Sequence, residues 1–189
     1  MKRLLLTYCV ILVATLAYAQ EHMAFKGISM DRNVTSFVSQ LKASGYTELL
    51  VQDEGAVLSG NFAEKDDCTI FVLGTNRGEL VWKVVVKFPE RVSWYSLKSE
   101  YNTFKTSYTN KYGAPESYEY FSDPYYEGDG YELQALRLEK CRYISYFTTS
   151  LGTIMLKIGD DKCVTVVYED AINVELKKSE KNRAVSSDI

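Results

Sequence analysis

The spacing of apolar positions changes along the chain, and each change marks an element. Residues 22–30 hold Phe25 and Ile28 around Gly27, the pattern of a short first strand that leads to Asp31 as a helix cap. Val34, Phe37, Val38 and Leu41 then recur at i, i+3, i+4 and i+7, which lines up one apolar stripe, and Gly45 is placed to end that helix in the left-handed conformation. From residue 46 to 88 the period becomes two. Runs at 48–52, 56–62, 68–74 and 79–88 read as strands, and Asp53-Glu54-Gly55 and Asn76-Arg77-Gly78 between them carry the glycines of tight turns, so an antiparallel meander is expected. In the last run Leu80, Trp82, Val84, Val86 and Phe88 alternate with Val81, Lys83, Val85 and Lys87, which assigns one face to the core and one to water. Pro89 ends it, having no N–H for the ladder.

Ser93 is the expected N-cap of the longest helix, where Trp94, Leu97, Tyr101, Phe104 and Tyr108 recur at spacings of three and four until Tyr112-Gly113 and Pro115 stop it. That aromatic stripe reads as core. Residues 117–121 fit a short edge strand or an extended loop, and 122–130 are rich in turn residues and are expected to project from the surface. Leu133, Leu136 and Leu138 suggest a short helix over 131–140. Three alternating runs follow at 141–148, 153–158 and 163–168, a second meander whose expected inward sets are Ile144 and Tyr146, then Ile154, Leu156 and Ile158, then Val164, Val166 and Tyr168. Residues 173–189 carry Lys177, Lys178, Lys181 and Arg183 with few apolar positions, the composition of a charged flexible tail.

Helix followed by strands thus occurs twice, over about 25–89 and 93–170, with Asp66-Asp67-Cys68 echoed by Asp160-Asp161-Lys162-Cys163. The expected fold class is α+β: a single domain over 20–172 with an antiparallel sheet of about seven strands from two helix-plus-meander units, helices packed on one face so that each unit covers apolar surface the other leaves open.

That tandem pattern resembles the beta-lactamase-inhibitor-protein-like architecture, whose single unit is similar to the small outer-membrane assembly lipoproteins. Phe25-Lys26-Gly27-Ile28, Val84-Val85-Val86-Lys87-Phe88-Pro89 and Lys111-Tyr112-Gly113-Ala114-Pro115 also resemble segments of uncharacterised secreted envelope proteins of Bacteroides-type bacteria. The resemblance covers residues 25–170 and implies a non-catalytic envelope protein. It carries over no functional residue, and the chain departs from the lipoproteins in lacking a small residue before Cys9, which follows Tyr8.

Composition then narrows function. Lys2 and Arg3, an apolar run and Ala17-Tyr18-Ala19 have the order of a secretory signal peptide over 1–19, with cleavage before Gln20, and the 16 residues from Leu4 to Ala19 fall short of the roughly 20 that span a bilayer. The expected location is periplasmic or secreted, with no stable membrane insertion after cleavage. A formal charge of −3, made more acidic by loss of Lys2 and Arg3, gives no case for nucleic acid. Three cysteines remain beyond the signal in an oxidising compartment, so the expected arithmetic is one disulfide and one unpaired thiol, with a structural role as a staple or as buried thiols. If the last three strands pair in sequence order at about 4.8 Å, Cys141 and Cys163 lie near 9.5 Å apart, which weakens that pairing and favours Cys68 with Cys141 or Cys163. The single histidine, His22, sits where chain termini are commonly mobile. Imidazole catalysis is therefore disfavoured; no nucleotide or common hydrolase motif occurs, and no cofactor is implied.

The compositional oddity is 116–132, with six carboxylates, five tyrosines and no Lys or Arg. Tyr118, Tyr120, Asp123, Tyr125, Tyr126, Glu127, Asp129 and Tyr131 form the candidate binding surface, since tyrosine offers a rigid ring with a polar tip and the carboxylates suit a basic partner or sugar hydroxyls. Asp123, Glu127 and Asp129 could also donate oxygens to calcium, but their spacing fits no EF-hand. The sequence points to a binding protein with a protein partner in the envelope. The rival readings are a glycan-binding module using exposed tyrosines and a hydrolase using two facing carboxylates.

Overall fold

The protein is described by a computed structural model over residues 21–187. The signal peptide expected over 1–19 lies outside the described residues. In place of one first strand there is a two-residue-per-strand hairpin, β1 (Ala24–Phe25) and β2 (Ile28–Ser29), turned by Lys26 and Gly27 at φ of 54° and 78°. Helix α1 (Val34–Ala43) buries the four residues of the predicted stripe. Its cap is Asn33, whose side chain accepts from the Ser36 N–H at 2.8 Å; Asp31 lies two residues too early to reach the first turn.

The first meander follows as β3 (Thr47–Gln52), β4 (Gly55–Phe62), β5 (Lys65–Gly74) and β6 (Val81–Lys87). Helix α2 (Trp94–Tyr112) is capped by Ser93 and stopped at Gly113, whose φ of 89° suits glycine. Then come β7 (Glu116–Phe121), α3 (Glu132–Arg137), β8 (Cys141–Thr149), β9 (Gly152–Ile158), β10 (Val164–Asp170) and α4 (Ala171–Ser187). The main sheet is wholly antiparallel, in the order β3-β4-β5-β6-β10-β9-β8-β7. Each half runs from an edge to the centre, where β6 meets β10, and residues 116–121 supply an eighth strand at the far edge.

One cross-strand row shows how the core closes. Leu58, Ile70, Val86, Val166 and Leu156 stand opposite one another in register, each with no exposed surface, and Ser145 continues the row. Burying an aliphatic side chain of this size contributes about 1.5–3 kcal/mol. A serine in such a row must be satisfied, and the Tyr101 hydroxyl of α2 meets Ser145 Oγ at 2.6 Å, with Ser117 Oγ at 2.8 Å. Tyr46, just after α1, lies flat against Gly60 of β4, where a Cβ would stand 2.4 Å from its ring. Both α1 and α2 therefore cover the same face.

Strand β8 corrects the expected inward set. Cys141, Tyr143, Ser145 and Phe147 face the helices, while Ile144 and Tyr146 point to the other side, because Ser145 pairs with buried Leu156 and Tyr146 with Met155. Since strand period is two, one step of register exchanges the faces of the whole strand.

Three further expectations are overturned. No disulfide forms among the described residues; Cys68, Cys141 and Cys163 are buried free thiols. The two halves meet through β6 and β10, so β6 separates Cys68 from the Cys163 end of β10 by two strand spacings, about 9.5 Å, and Cys141 on β8 is two strands farther. The charged tail is helix α4. The Asp170 carboxylate accepts from the Ile172 and Asn173 N–H groups, and buried Asn173 donates to the carbonyls of Met30 and Val81, both at 2.9 Å. Of the lysines that suggest a tail, Lys177 ties the helix down by reaching Glu54 at 3.2 Å. Finally, His22 is part of the folded body: its Nδ1 lies 3.2 Å from Asp170, and its side chain is largely covered.

Candidate binding face

The face of the sheet turned away from α1 and α2 carries its own apolar row. Leu50, Val57, Phe71, Val85, Val167, Met155 and Tyr146 stand opposite one another in register, one per strand from β3 to β8. Only Val167 of these is buried, and Leu50 on the edge strand is 51% exposed. Leu50, Val57, Phe71 and Val85 line an open concavity of about 510 Å³, which Trp82 and Lys177 help to wall. Helix α4 thus borders this face at one end and leaves the row open.

Polar rows flank the apolar one. Lys87 stands between Thr69 and Thr165 and pairs with Asp161 at 2.7 Å, a contact that raises the lysine above its ordinary value. On the other flank Lys83 pairs with Glu169 at 2.6 Å. The apolar band thus runs between two charge-paired rims.

The eight sequence candidates divide between the two faces. Tyr118 and Tyr120, on edge strand β7, join the uncovered face opposite Ile144 and Arg142, and are 42% and 46% exposed. The Arg142 guanidinium sits 5.6 Å from the Tyr118 ring centre, and Tyr146 meets the same ring edge-on at 6.4 Å. The Tyr118 hydroxyl donates to Glu116, which raises its pKa. In register the apolar row itself meets Glu116 on the eighth strand, opposite Tyr146, and the two tyrosines lie beside it on the same face.

The remaining candidates belong to the connection between β7 and α3, which folds against α2 instead of projecting. Glu127 accounts for this: its carboxylate accepts from Lys98, from Trp94 Nε1 at 3.4 Å and from the Tyr143 hydroxyl at 3.4 Å. The lysine contact leads in holding the Glu127 carboxyl below its ordinary value. Asp129 closes the turn by accepting from the N–H groups of Tyr126 and Tyr131. Asp123 precedes Pro124 across a cis peptide, and Tyr125 is half-buried, accepting from Gln134 Nε2 at 3.0 Å. Tyr126 and Tyr131 are 65% and 60% exposed. Glu127 and Asp129, two of the three oxygen donors considered for calcium, are thus engaged by N–H and O–H groups of the protein. No group of three or more His, Cys, Asp or Glu among the described residues is arranged to hold a metal ion.

Two carboxylates are buried, and each holds the fold at a different place. Glu100 is gripped by Arg91, with Nε at 3.0 Å, and approached by Lys65 at 3.8 Å. Asp170 is enclosed by His22, the Met23 N–H and the first turn of α4. Burial also raises the three thiols, that of Cys141 being pushed up to about 12.

The geometry defines an open antiparallel α+β sheet with one face covered by α1 and α2 and the other bordered by α4 at one end and open along its apolar row. The chain matches no protein-family model, no curated protein and no solved structure. Among the described residues no helix is long and apolar enough to cross a membrane. Of the residues on this face, the sequence offers Tyr118 and Tyr120 as candidates but not Leu50, Phe71, Val85 and Met155. The available signal was the run Ile70-Phe71-Val72-Leu73, apolar on both sides of a strand that an antiparallel sheet with one wet face would alternate.

Proposed function

We propose that the protein is an exported, non-catalytic binding protein of the bacterial cell envelope, and that it recognises another protein through the bare face of its sheet. The observation that carries this reading is the apolar row from Leu50 to Tyr146, with exposed Tyr118 and Tyr120 beside its end on the same face. Apolar side chains aligned on an open surface gain by burial, at about 25 cal/mol per Å², and aromatic residues at such positions supply most of the energy of a contact. Phe71 lines the concavity over β3 to β6 and is the expected anchor, with Tyr118 and Tyr120 at the far edge of the same face. The paired charges of Lys83 with Glu169 and Lys87 with Asp161 form a rim that excludes water without imposing a single sign of charge.

Export is tested by N-terminal sequencing of the protein recovered from its own cells, which should begin at Gln20. The binding reading is tested by pull-down from envelope extract with the wild-type chain beginning at Gln20 and with Phe71→Glu, which puts a charge at the centre of the row without touching the helix-side core.

A further inference from the structure

On the helix side, a second cavity lies between two hairpin tips and α2. The β1–β2 tip at Lys26-Gly27 and the β4–β5 tip at Ala63-Glu64 form its lips, and its volume is about 780 Å³, within the range of small-molecule sites. Phe62, Phe104, Tyr108, Tyr112 and Tyr168 contribute aromatic surface to it. These rings are fixed from behind: Phe62 stacks on Phe25 at 5.5 Å, and Phe104 on Phe88 at 4.4 Å. The hydroxyls of Tyr108 and Tyr168 bond to each other, which leaves the floor uncharged.

The mouth is different in character. Lys26 and Lys111 are both exposed there, and neither has an ion pair among the described residues; their ammonium groups lie 6.0 Å from the Phe62 ring centre and 5.0 Å from that of Tyr112. Lys65 is beside them but is drawn to Glu100, and Glu64 supplies a carboxylate to the lining. In a chain of net charge −3, two unpaired lysines over an aromatic floor are a local excess of positive charge.

The lips are two tight hairpin turns. Lys26, Ala63 and Glu64 have φ of 54°, 50° and 62°, in two-residue turns that ordinarily take asparagine and glycine. Such turns need positive φ at their central residues, so the two tips that form the lips are tight and fixed in place.

We propose that this cleft binds an amphipathic carboxylate, with the apolar body on the aromatic floor and the carboxylate at the Lys26 and Lys111 mouth. The site is separate from the bare sheet face, and neither reading depends on the other.

Titration calorimetry with decanoate, below its micellar concentration, tests the assignment, with decanol as the uncharged analogue. Decanoate should bind saturably at one site, weaken with added salt, and bind about tenfold more tightly than decanol. The double variant Lys26→Glu with Lys111→Glu should lose about tenfold for decanoate and nothing for decanol. Ser107→Trp, which fills the cleft from an exposed position on α2, should abolish both, with unchanged circular dichroism showing that the variants fold. The proposal is overturned if decanoate gives no saturable heat, if Ser107→Trp binds it as the wild type does, or if the lysine variant binds it undiminished.

Discussion

His22 Nδ1 stands 3.2 Å from both carboxylate oxygens of Asp170, so the only histidine of the chain is locked to a residue 148 positions away. The same carboxylate accepts from the Met23 N–H at 2.7 Å and from two N–H groups in the first turn of α4, and its side chain has no exposed surface. One buried anion thus fastens the start of the described chain to the junction of β10 and α4.

Removing that anion strands four donors at once. Asp170→Ala should lower the free energy of unfolding by about 3 kcal/mol, whereas His22→Ala, which leaves the backbone donors in place, should cost about 1 kcal/mol. Urea unfolding followed by circular dichroism measures both. Equal and small effects would show that the carboxylate does not organise this junction.

The three buried thiols should be silent in the folded protein. Burial disfavours the thiolate, the reactive form, so a thiol reagent at pH 8 should label none of Cys68, Cys141 and Cys163 until denaturant is added, and then all three. Recovery of a single thiol from the unfolded, unreduced chain beginning at Gln20 would mean that a disulfide forms after all.

Glu127 makes the hold of the β7–α3 connection pH-dependent. Its carboxyl is depressed below the ordinary 4.5, first by Lys98 and also by the Trp94 and Tyr143 donors. A depressed acid contributes stability that is fully present above pH 4.5 and is lost as pH falls through the lower value of the folded state. In a Trp82→Phe background the fluorescence of Trp94 should therefore change below pH 4.5, and Glu127→Gln should show the acid-state signal already at neutral pH. A pH response that survives Glu127→Gln would assign it to another group.

Much of this architecture could be read locally. The stripe of α1, the aromatic spacing of α2 and the two meanders follow from periods of 3.6 and two, and the cap at Ser93 was a local feature. The inward face of β8 is not legible locally because Tyr143, Ile144, Tyr146 and Phe147 are apolar on both parities, and only the distant Tyr101 hydroxyl makes Ser145 an interior residue. Helix α4 was missed for a related reason. Its own residues form no apolar stripe, and its anchors, Asp170 and Asn173, find their partners at His22, Met30 and Val81. The bare face was least visible, since it takes one residue from each strand and exists only once the order of strands is known.

The account turns on that face. Pull-down from envelope extract, quantified by mass spectrometry, should be run with the wild-type chain beginning at Gln20, with Phe71→Glu, and with Tyr126→Ser and Tyr131→Ser combined, all three first shown to share one melting temperature within a few degrees. The account predicts a protein retained by the wild type and by the tyrosine variant and lost with Phe71→Glu. Retention of every wild-type partner by Phe71→Glu, or its loss only with the tyrosine variant, would contradict it.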